Sequence, residues 1–448
     1  MFKKILVANR GEIALRVICA CKELRIPTVA IYSEPDGDSL HVRFADEAVC
    51  IGPAPSSESY LNVPSIISAA EITDVEAIHP GYGYLAENPN FAEVCETCGI
   101  TFIGPSSESI SLMGNKARAR EMMEQAGLPI IPGTGVVGES QAERLEAADS
   151  VGFPLIVKAS AGGGGRGMRI AETSDQVIEA ITTARLEAQS TFGSDEVYLE
   201  RYLSRPRHIE FQVLADQNGN VLHLGERECS IQRRHQKLLE ECPSPLLTAE
   251  LRESLGSLVT RAVSSINYVN AGTVEFLFDE EGNYYFIEMN TRIQVEHPIT
   301  ERVTGVDLIK EQIRIAAGES LSIQQEDIKL QGHSIECRIN AESPLTLKPS
   351  PGQITAYHAP GGPGIRIDSM AHAGMTVSPF YDSMIAKLIA TGANRKEAIT
   401  RMDRALDMFV IEGIETTISL HKRIIAHPDF QAGRLSTAFL ESFDFASP

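Results

Sequence analysis

The chain has 448 residues, 43% hydrophobic and 22% charged, with a formal net charge of -20, enough length for two or three domains with full cores. The acidic surplus argues against nucleic acid and anionic membranes as partners, because phosphates must be met by excess Lys and Arg, so any phosphate site must be locally basic. Met1-Phe-Lys-Lys-Ile-Leu-Val-Ala lacks signal-peptide architecture, no apolar run approaches bilayer-spanning length, and the eight scattered cysteines read as reduced thiols; a cytoplasmic location is expected.

Over the first hundred residues, β-type runs at Lys4 to Ala8, Thr28 to Tyr32, Val75 to Ile78 and Thr101 to Ile103 alternate with helical periodicity such as Ile13 to Leu24. This predicts a parallel βαβ domain. Asn9-Arg-Gly-Glu12 offers one glycine where G-x-G-x-x-G needs three, which argues against a nicotinamide enzyme. Cys95-Glu-Thr-Cys98 has Cys-x-x-Cys spacing but no second pair follows, so zinc or redox work is not expected there. Lys116 to Gln125 reads as a helix, stopped by Gly127 and Pro129.

Leu155 to Lys158 and Met168 to Ala171 are strands on either side of Ala161-Gly-Gly-Gly-Gly-Arg-Gly167. The glycines permit close backbone approach to phosphate oxygens, with Lys158 beside them; a plain mobile connector is the other reading. No Walker A motif is present. His208 to Leu214 and Val221 to Leu224 flank Asn218-Gly219, a hairpin signal. Glu226 to Lys237 is dense in charges and amides, a pattern that ordinarily marks a solvated face. Helices are expected over Ala249 to Ile266 and Leu308 to Ala317.

Between them, Thr273 to Asp279 and Tyr284 to Asn290 flank Glu280-Glu-Gly-Asn283, a second hairpin. Symmetric pairing sets Asp279 opposite Tyr284, and hence Glu275 opposite Glu288. Two facing carboxylates repel unless a cation lies between them, and with Asn290 two residues along the set suits Mg²⁺; a solvated sheet face is the alternative. If the segment stays extended, Glu288, Asn290, Arg292, Gln294 and Glu296 line one side. After Leu330 come the turns Pro349-Ser-Pro-Gly352 and Pro360-Gly-Gly-Pro-Gly364, and only Arg338, near Asn340, stands out.

The lysine beside a glycine flap, the carboxylate pair with Asn and the polar segment beyond resemble the ATP-grasp superfamily. Ala8-Asn-Arg-Gly-Glu12, His79-Pro-Gly-Tyr-Gly-Tyr-Leu-Ala-Glu-Asn88, Gln232-Arg-Arg-His-Gln-Lys237 and Glu288-Met-Asn-Thr-Arg-Ile-Gln-Val-Glu-His-Pro298 look, more closely, like biotin carboxylase. The resemblance covers nearly the whole chain. It implies a mixed α/β and α+β architecture: a Rossmann-like N-terminal domain over 1–114, an ATP-grasp region over 115–330 with a glycine-rich lid at 131–203, and a mixed, largely antiparallel C-terminal domain over 331–448.

The resemblance also implies site residues. Lys116, Lys158, Gly164, Gly165, Glu200, Arg201, Tyr202, Leu203, His208, Gln232, His235, Lys237, Leu277, Glu275 and Glu288 match ATP-site positions. Glu275, Glu288 and Asn290 match metal ligands, for two Mg²⁺ ions with Mn²⁺ as a substitute. Lys237, Arg292, Gln294 and Val295 match the bicarbonate site, Glu296 the general base, and Arg338 the group beside the biotin ureido ring. Ala161 and Cys242 depart mildly from the family pattern, touching flap mobility and local packing.

The implied reaction is attack of bicarbonate on MgATP to give carboxyphosphate, whose phosphate product removes the ureido proton. It is expected to be the first half-reaction of acetyl-CoA carboxylase in fatty acid synthesis, with a pyruvate or propionyl-CoA carboxylase or another ATP-grasp ligase as alternatives. A non-enzymatic ATP-binding module is disfavoured by the complete Lys237, Arg292, Glu296 and Arg338 set. No Met-Lys-Met biotinylation site occurs in the chain, so a biotin carboxyl carrier protein and a carboxyltransferase are implied partners, and a homodimer is the implied assembly.

Overall fold

The structure is a computed structural model that describes residues 1–160 and 168–445. The glycine run Ala161 to Gly167, with Gly164 and Gly165, lies outside the described residues. Strands Ile5–Val7, Thr28–Ser33, Glu47–Gly52, Ala77–His79 and Thr101–Phe102 form the expected parallel sheet, with Ile5–Val7 central between Thr28–Ser33 and Ala77–His79. Helix Gly11–Glu23 buries Ile13, Ala14, Val17, Ile18 and Cys21, a 3.6-period stripe that closes one face of the sheet. Leu6, Val29, Ile31 and Ile78 join a separate core with Ile66 and Phe91. Glu47–Gly52 is a further strand at the edge of this sheet that the sequence reading lacks: half of its residues are exposed and its apolar run is only the four residues Ala48 to Ile51.

A second sheet of eight strands dominates the molecule. Its order is Tyr284–Asn290, Asn270–Phe278, Arg207–Ala215, Val221–Arg233, Gln236–Cys242, His333–Asn340, Met384–Gly392 and Ile365–Ser369, with antiparallel neighbours throughout. It takes strands from both sides of residue 330, so Arg338 and the Glu275/Glu288 hairpin are built on one continuous ladder.

Residues 133–201 contribute a four-stranded antiparallel sheet ordered Gly133–Val136, Val197–Arg201, Leu155–Ala159, Arg169–Ala171. Helices Gln141–Val151 and Ser174–Phe192 accompany it, and Val137, Ala148, Leu155, Val157, Val177, Ile181, Val197 and Leu199 give it a small core of its own. Among the described residues no helix is long and apolar enough to cross a membrane.

Candidate active site

The site begins with the second hairpin. Glu275 does face Glu288, with Val274 opposite Met289 and Thr273 opposite Asn290. Nearer the loop, however, the register is one residue off the symmetric expectation: Tyr284 pairs with Phe278, not Asp279, whose amide instead closes the loop onto the Asn283 carbonyl (2.9 Å). A bulge at Ile287, which has no partner between Phe286 and Glu288, absorbs the difference. Bulges place two residues against one and re-aim the chain beyond them. Here that turns Glu288 and Asn290 to the cleft, where Glu275, Leu277 and Ile287 also lie.

The cleft is rich in fixed charge. On the next strand Glu210 stands opposite Glu275. Lys237 Nζ meets three carboxylates: Glu210 at 2.5 Å, Glu296 at 2.7 Å and Glu275 at 3.0 Å. Burial opposes ionisation of these groups; it prevails at Glu210, whose pKa is raised, whereas at the other three mutual attraction prevails. Lys237 is driven well above its ordinary value, and Glu275 and Glu296 well below theirs. His208 Nε2 lies 2.8 Å from Glu275, and despite burial that neighbour raises its pKa.

Lys116 opens helix Lys116–Gln125, capped by the Asn115 side chain on the Arg118 amide (3.0 Å), and its ammonium reaches Glu288 at 2.7 Å. Lys158 and Arg120 both pair with buried Glu200. Gln232 donates to His208 Nδ1 at 3.4 Å. Arg234 and His235 turn the chain at positive φ between Val221–Arg233 and Gln236–Cys242; burial, then Lys158, lowers the His235 pKa. Arg201 donates to the Tyr285 hydroxyl (2.7 Å), and Tyr202 and Leu203 line the cleft.

Two expectations fail. Glu226, Arg227 and Glu228 are not a solvated face but fully buried: Arg227 donates to Glu210 (2.6 Å), Gln212 (2.8 Å) and Thr300 (3.0 Å), so its charge and hydrogen bonds are met inside. Nor does the extended pattern continue to Glu296. The strand ends at Asn290, and residues 291–296 leave the sheet to enter helix His297–Thr304.

Their side chains converge by hydrogen bonding instead of by alternation. Arg292 donates to Glu87 (2.9 Å), Asn290 (3.0 Å) and Gln294 (2.9 Å), and Gln294 donates to Glu275 (2.9 Å). Arg338 bridges Glu296 (2.9 Å) and Glu240 (2.7 Å), while the Val295 carbonyl accepts from Lys387 (2.9 Å).

The cleft encloses about 1530 Å³, above the ~300–1,000 Å³ usual for one small ligand and suited to a nucleotide beside a second substrate. Glu275, Glu288 and Asn290 offer oxygen donors, as a hard divalent ion requires, and Glu288 is 31% exposed to the cleft. An ion held there would compete with the Lys116 ammonium, which lies 2.7 Å from Glu288.

Glu210, Glu240, Glu87 and Lys387 escaped sequence reasoning. For Glu210 a signal existed, since it alternates with His208 and Gln212 along one strand. All eight cysteines are free, and Cys95 and Cys98 belong to no metal-binding cluster among the described residues.

Family models for the biotin carboxylase N-terminal domain, the carbamoyl-phosphate synthase L chain ATP-binding domain and the biotin carboxylase C-terminal domain match residues 1–110, 115–324 and 336–442. Biotin carboxylase 1 of Bacillus subtilis is 56% identical over 446 residues, 99% of each chain. The chain belongs to the biotin carboxylase family. It is therefore an ATP-dependent ligase of the ATP-grasp fold that uses ATP, Mg²⁺ and biotin.

Among solved biotin carboxylases, the β,γ-ATP complex of the Campylobacter jejuni enzyme superposes with a TM-score of 0.97 at 48% identity and 99% coverage of both chains. The biotin carboxylase domain dimer of Hydrogenobacter thermophilus 2-oxoglutarate carboxylase, in complex with MgADP, ADP and bicarbonate, gives 0.96 at 53% identity. It covers 100% of this chain and 99% of its own.

Proposed function

We propose that the cleft divides the carboxylation of carrier-borne biotin among the residues just placed. Lys116, Lys158, His208, Gln232, His235 and the 201–203 backbone, with Glu200 orienting Lys158, hold the nucleotide, with Leu277 beneath it; Gly164 and Gly165 of the glycine run would close over the phosphates. Glu275, Glu288 and Asn290 hold Mg²⁺, which neutralises developing phosphate charge. Segment 131–203, with its own core, is the closing unit. Domain limits of 1–114, 115–330 and 331–448 accompany this reading.

Arg292 grips bicarbonate through its planar fork, with Gln294, the Val295 backbone and Lys237 completing the anion site. The observation that carries the assignment of the base is the position of Glu296, between Lys237 at 2.7 Å and Arg338 at 2.9 Å. These cations keep it ionised despite full burial, as accepting a proton demands. Arg338 spends two of its five N–H donors on Glu240 and Glu296, leaving others for the oxygen that gains charge on the ureido ring.

The family resemblance supports a carrier protein and a carboxyltransferase as partners, a homodimer, a cytoplasmic location, and acetyl-CoA as final acceptor in fatty acid synthesis. The 53% identity to a 2-oxoglutarate carboxylase domain favours a keto-acid acceptor as the second reading. ADP release from MgATP with bicarbonate, with and without free biotin, tests the proposal in wild type and Glu296→Ala. Biotin should accelerate release and the substitution abolish it; turnover indifferent to biotin would refute the assignment.

A further inference from the structure

One buried cation next to the base has no part in the chemistry above. Lys387 lies on strand Met384–Gly392 directly opposite Arg338, and its side chain is 0% exposed. Opposed residues of an antiparallel pair project to the same face. From that face Arg338 reaches the carboxylate of Glu296, and Lys387 reaches the backbone carbonyl of Val295, one residue earlier, at 2.9 Å.

The other partner of Lys387 is Glu12 Oε2 at 3.2 Å, on helix Gly11–Glu23. Glu12 Oε1 in turn accepts from the Tyr82 phenol, and the ammonium sits 5.9 Å from the Tyr82 ring centroid. A single ammonium thus ties the N-terminal helix, the eight-stranded sheet and the 291–296 segment together.

That segment needs such a tie because it has left the sheet ladder. Among the described residues, two side chains from elsewhere in the fold hold its backbone: Glu87 accepts from the Thr291 amide at 3.1 Å, and Lys387 donates to Val295. Glu87 fixes the start, beside Arg292, and Lys387 fixes the end, between Gln294 and Glu296. Burying an ammonium is costly unless it is paired, and an apolar residue would fill the same volume without that cost.

We propose that Lys387 is a positioning residue that, through the Val295 carbonyl, sets the peptides flanking it so that Gln294 and Glu296 meet bicarbonate in productive geometry. The kinetic part of this proposal rests on the role given above to Glu296; the tether itself does not.

The test compares wild type with Lys387→Met and with Lys387→Met/Glu12→Gln, the second of which removes the carboxylate that the first leaves unpaired. Amide hydrogen exchange over residues 291–297, bicarbonate kinetics of ATP cleavage and MgADP affinity are measured on each. In the double variant exchange should quicken, KM for bicarbonate rise about tenfold and kcat fall up to ~10²-fold, with MgADP affinity within about twofold of wild type.

A double variant with wild-type exchange and wild-type bicarbonate kinetics overturns the proposal. So does a parallel loss of MgADP affinity and activity, which marks a general structural defect. If exchange quickens but wild type itself shows no bicarbonate-dependent cleavage, the functional reading fails while the tether stands.

Discussion

Glu275 and Glu288 stand directly opposite one another on neighbouring strands, yet each is met by different groups: Glu275 by Lys237 and the His208 imidazole, Glu288 by Lys116. A divalent ion bound between them would compete with these groups for the same oxygens. Glu288→Gln removes a full ligand charge while keeping the shape, so the Mg²⁺ concentration giving half-maximal ADP release should rise at least about tenfold. A Mg²⁺ titration at fixed ATP measures it, and an unchanged midpoint would exclude Glu288 as a ligand.

Arg292 is locked by Glu87, Asn290 and Gln294, a geometry that only a planar guanidinium satisfies. Arg292→Lys keeps the charge and loses the fork. KM for bicarbonate should therefore increase about tenfold or more, with little change in MgADP affinity by calorimetry.

Removing Arg338 alone would strand buried Glu240, a loss of roughly 3–5 kcal/mol. Arg338→Met/Glu240→Gln avoids that. In the double variant carboxybiotin formation should drop about 10²-fold, while bicarbonate-dependent ATP cleavage in the absence of biotin persists. Equal loss of both activities would place Arg338 in ATP cleavage instead.

Glu336 is fully buried opposite Glu240, and neither carboxylate oxygen has a hydrogen-bond partner. Burial, reinforced by Glu240, raises its pKa well above the ordinary 4.5 in spite of Lys387. Above pH 4.5 the unfolded chain releases this proton while the folded chain retains it, so stability falls as pH rises. Glu336→Gln carries no such proton, and its stability relative to wild type should grow with pH, by about 1.4 kcal/mol per pH unit until the folded group ionises, read as a widening Tm difference. A Tm difference that is flat between pH 5 and about pH 7 contradicts a raised pKa at Glu336.

Cys19, Cys50 and Cys98 are exposed, whereas Cys21, Cys95, Cys229, Cys242 and Cys337 are buried. Burial pushes the thiols of Cys21, Cys95 and Cys242 up to about 12 and those of Cys229 and Cys337 upward as well. Thiolates are the reactive form, so the native protein should titrate three thiols and the unfolded chain eight. Rapid native labelling of Cys229 would show that its surroundings beside Glu296 open to reagent.

Much of this was legible because local rules happened to coincide with the tertiary outcome. Helix Lys116–Gln125 matches its reading to the residue, since Gly127 and Pro129 stop it locally; the Asn115 cap at its start is seen only in the structure. Glu275 was set opposite Glu288 by turn symmetry alone, although the true loop register differs and the bulge restores the match.

What could not be read depends on contacts between distant residues. The charges of Glu226 to Glu228 look solvated until Glu210, Arg252 and Ser244 are known to meet them. Glu240 has no local signal, because its role is fixed by Arg338, 98 residues later. The 291–296 segment shows strand-like alternation yet is shaped by Glu87 and Lys387, neither of which its own sequence foretells.

The bulge at Ile287 divides the hairpin into two phases. Between the loop and the bulge, pairing follows the turn; beyond it, pairing follows Val274 and Met289 in the core. Loop tips tolerate changes in length better than strands do, and here a residue gained or lost over 280–283 alters only the first phase. The alignment of the two carboxylates is thereby insulated from drift at the most permissive part of the hairpin. Deleting Ile287 itself should leave Glu275 facing Glu288 in an unbroken ladder.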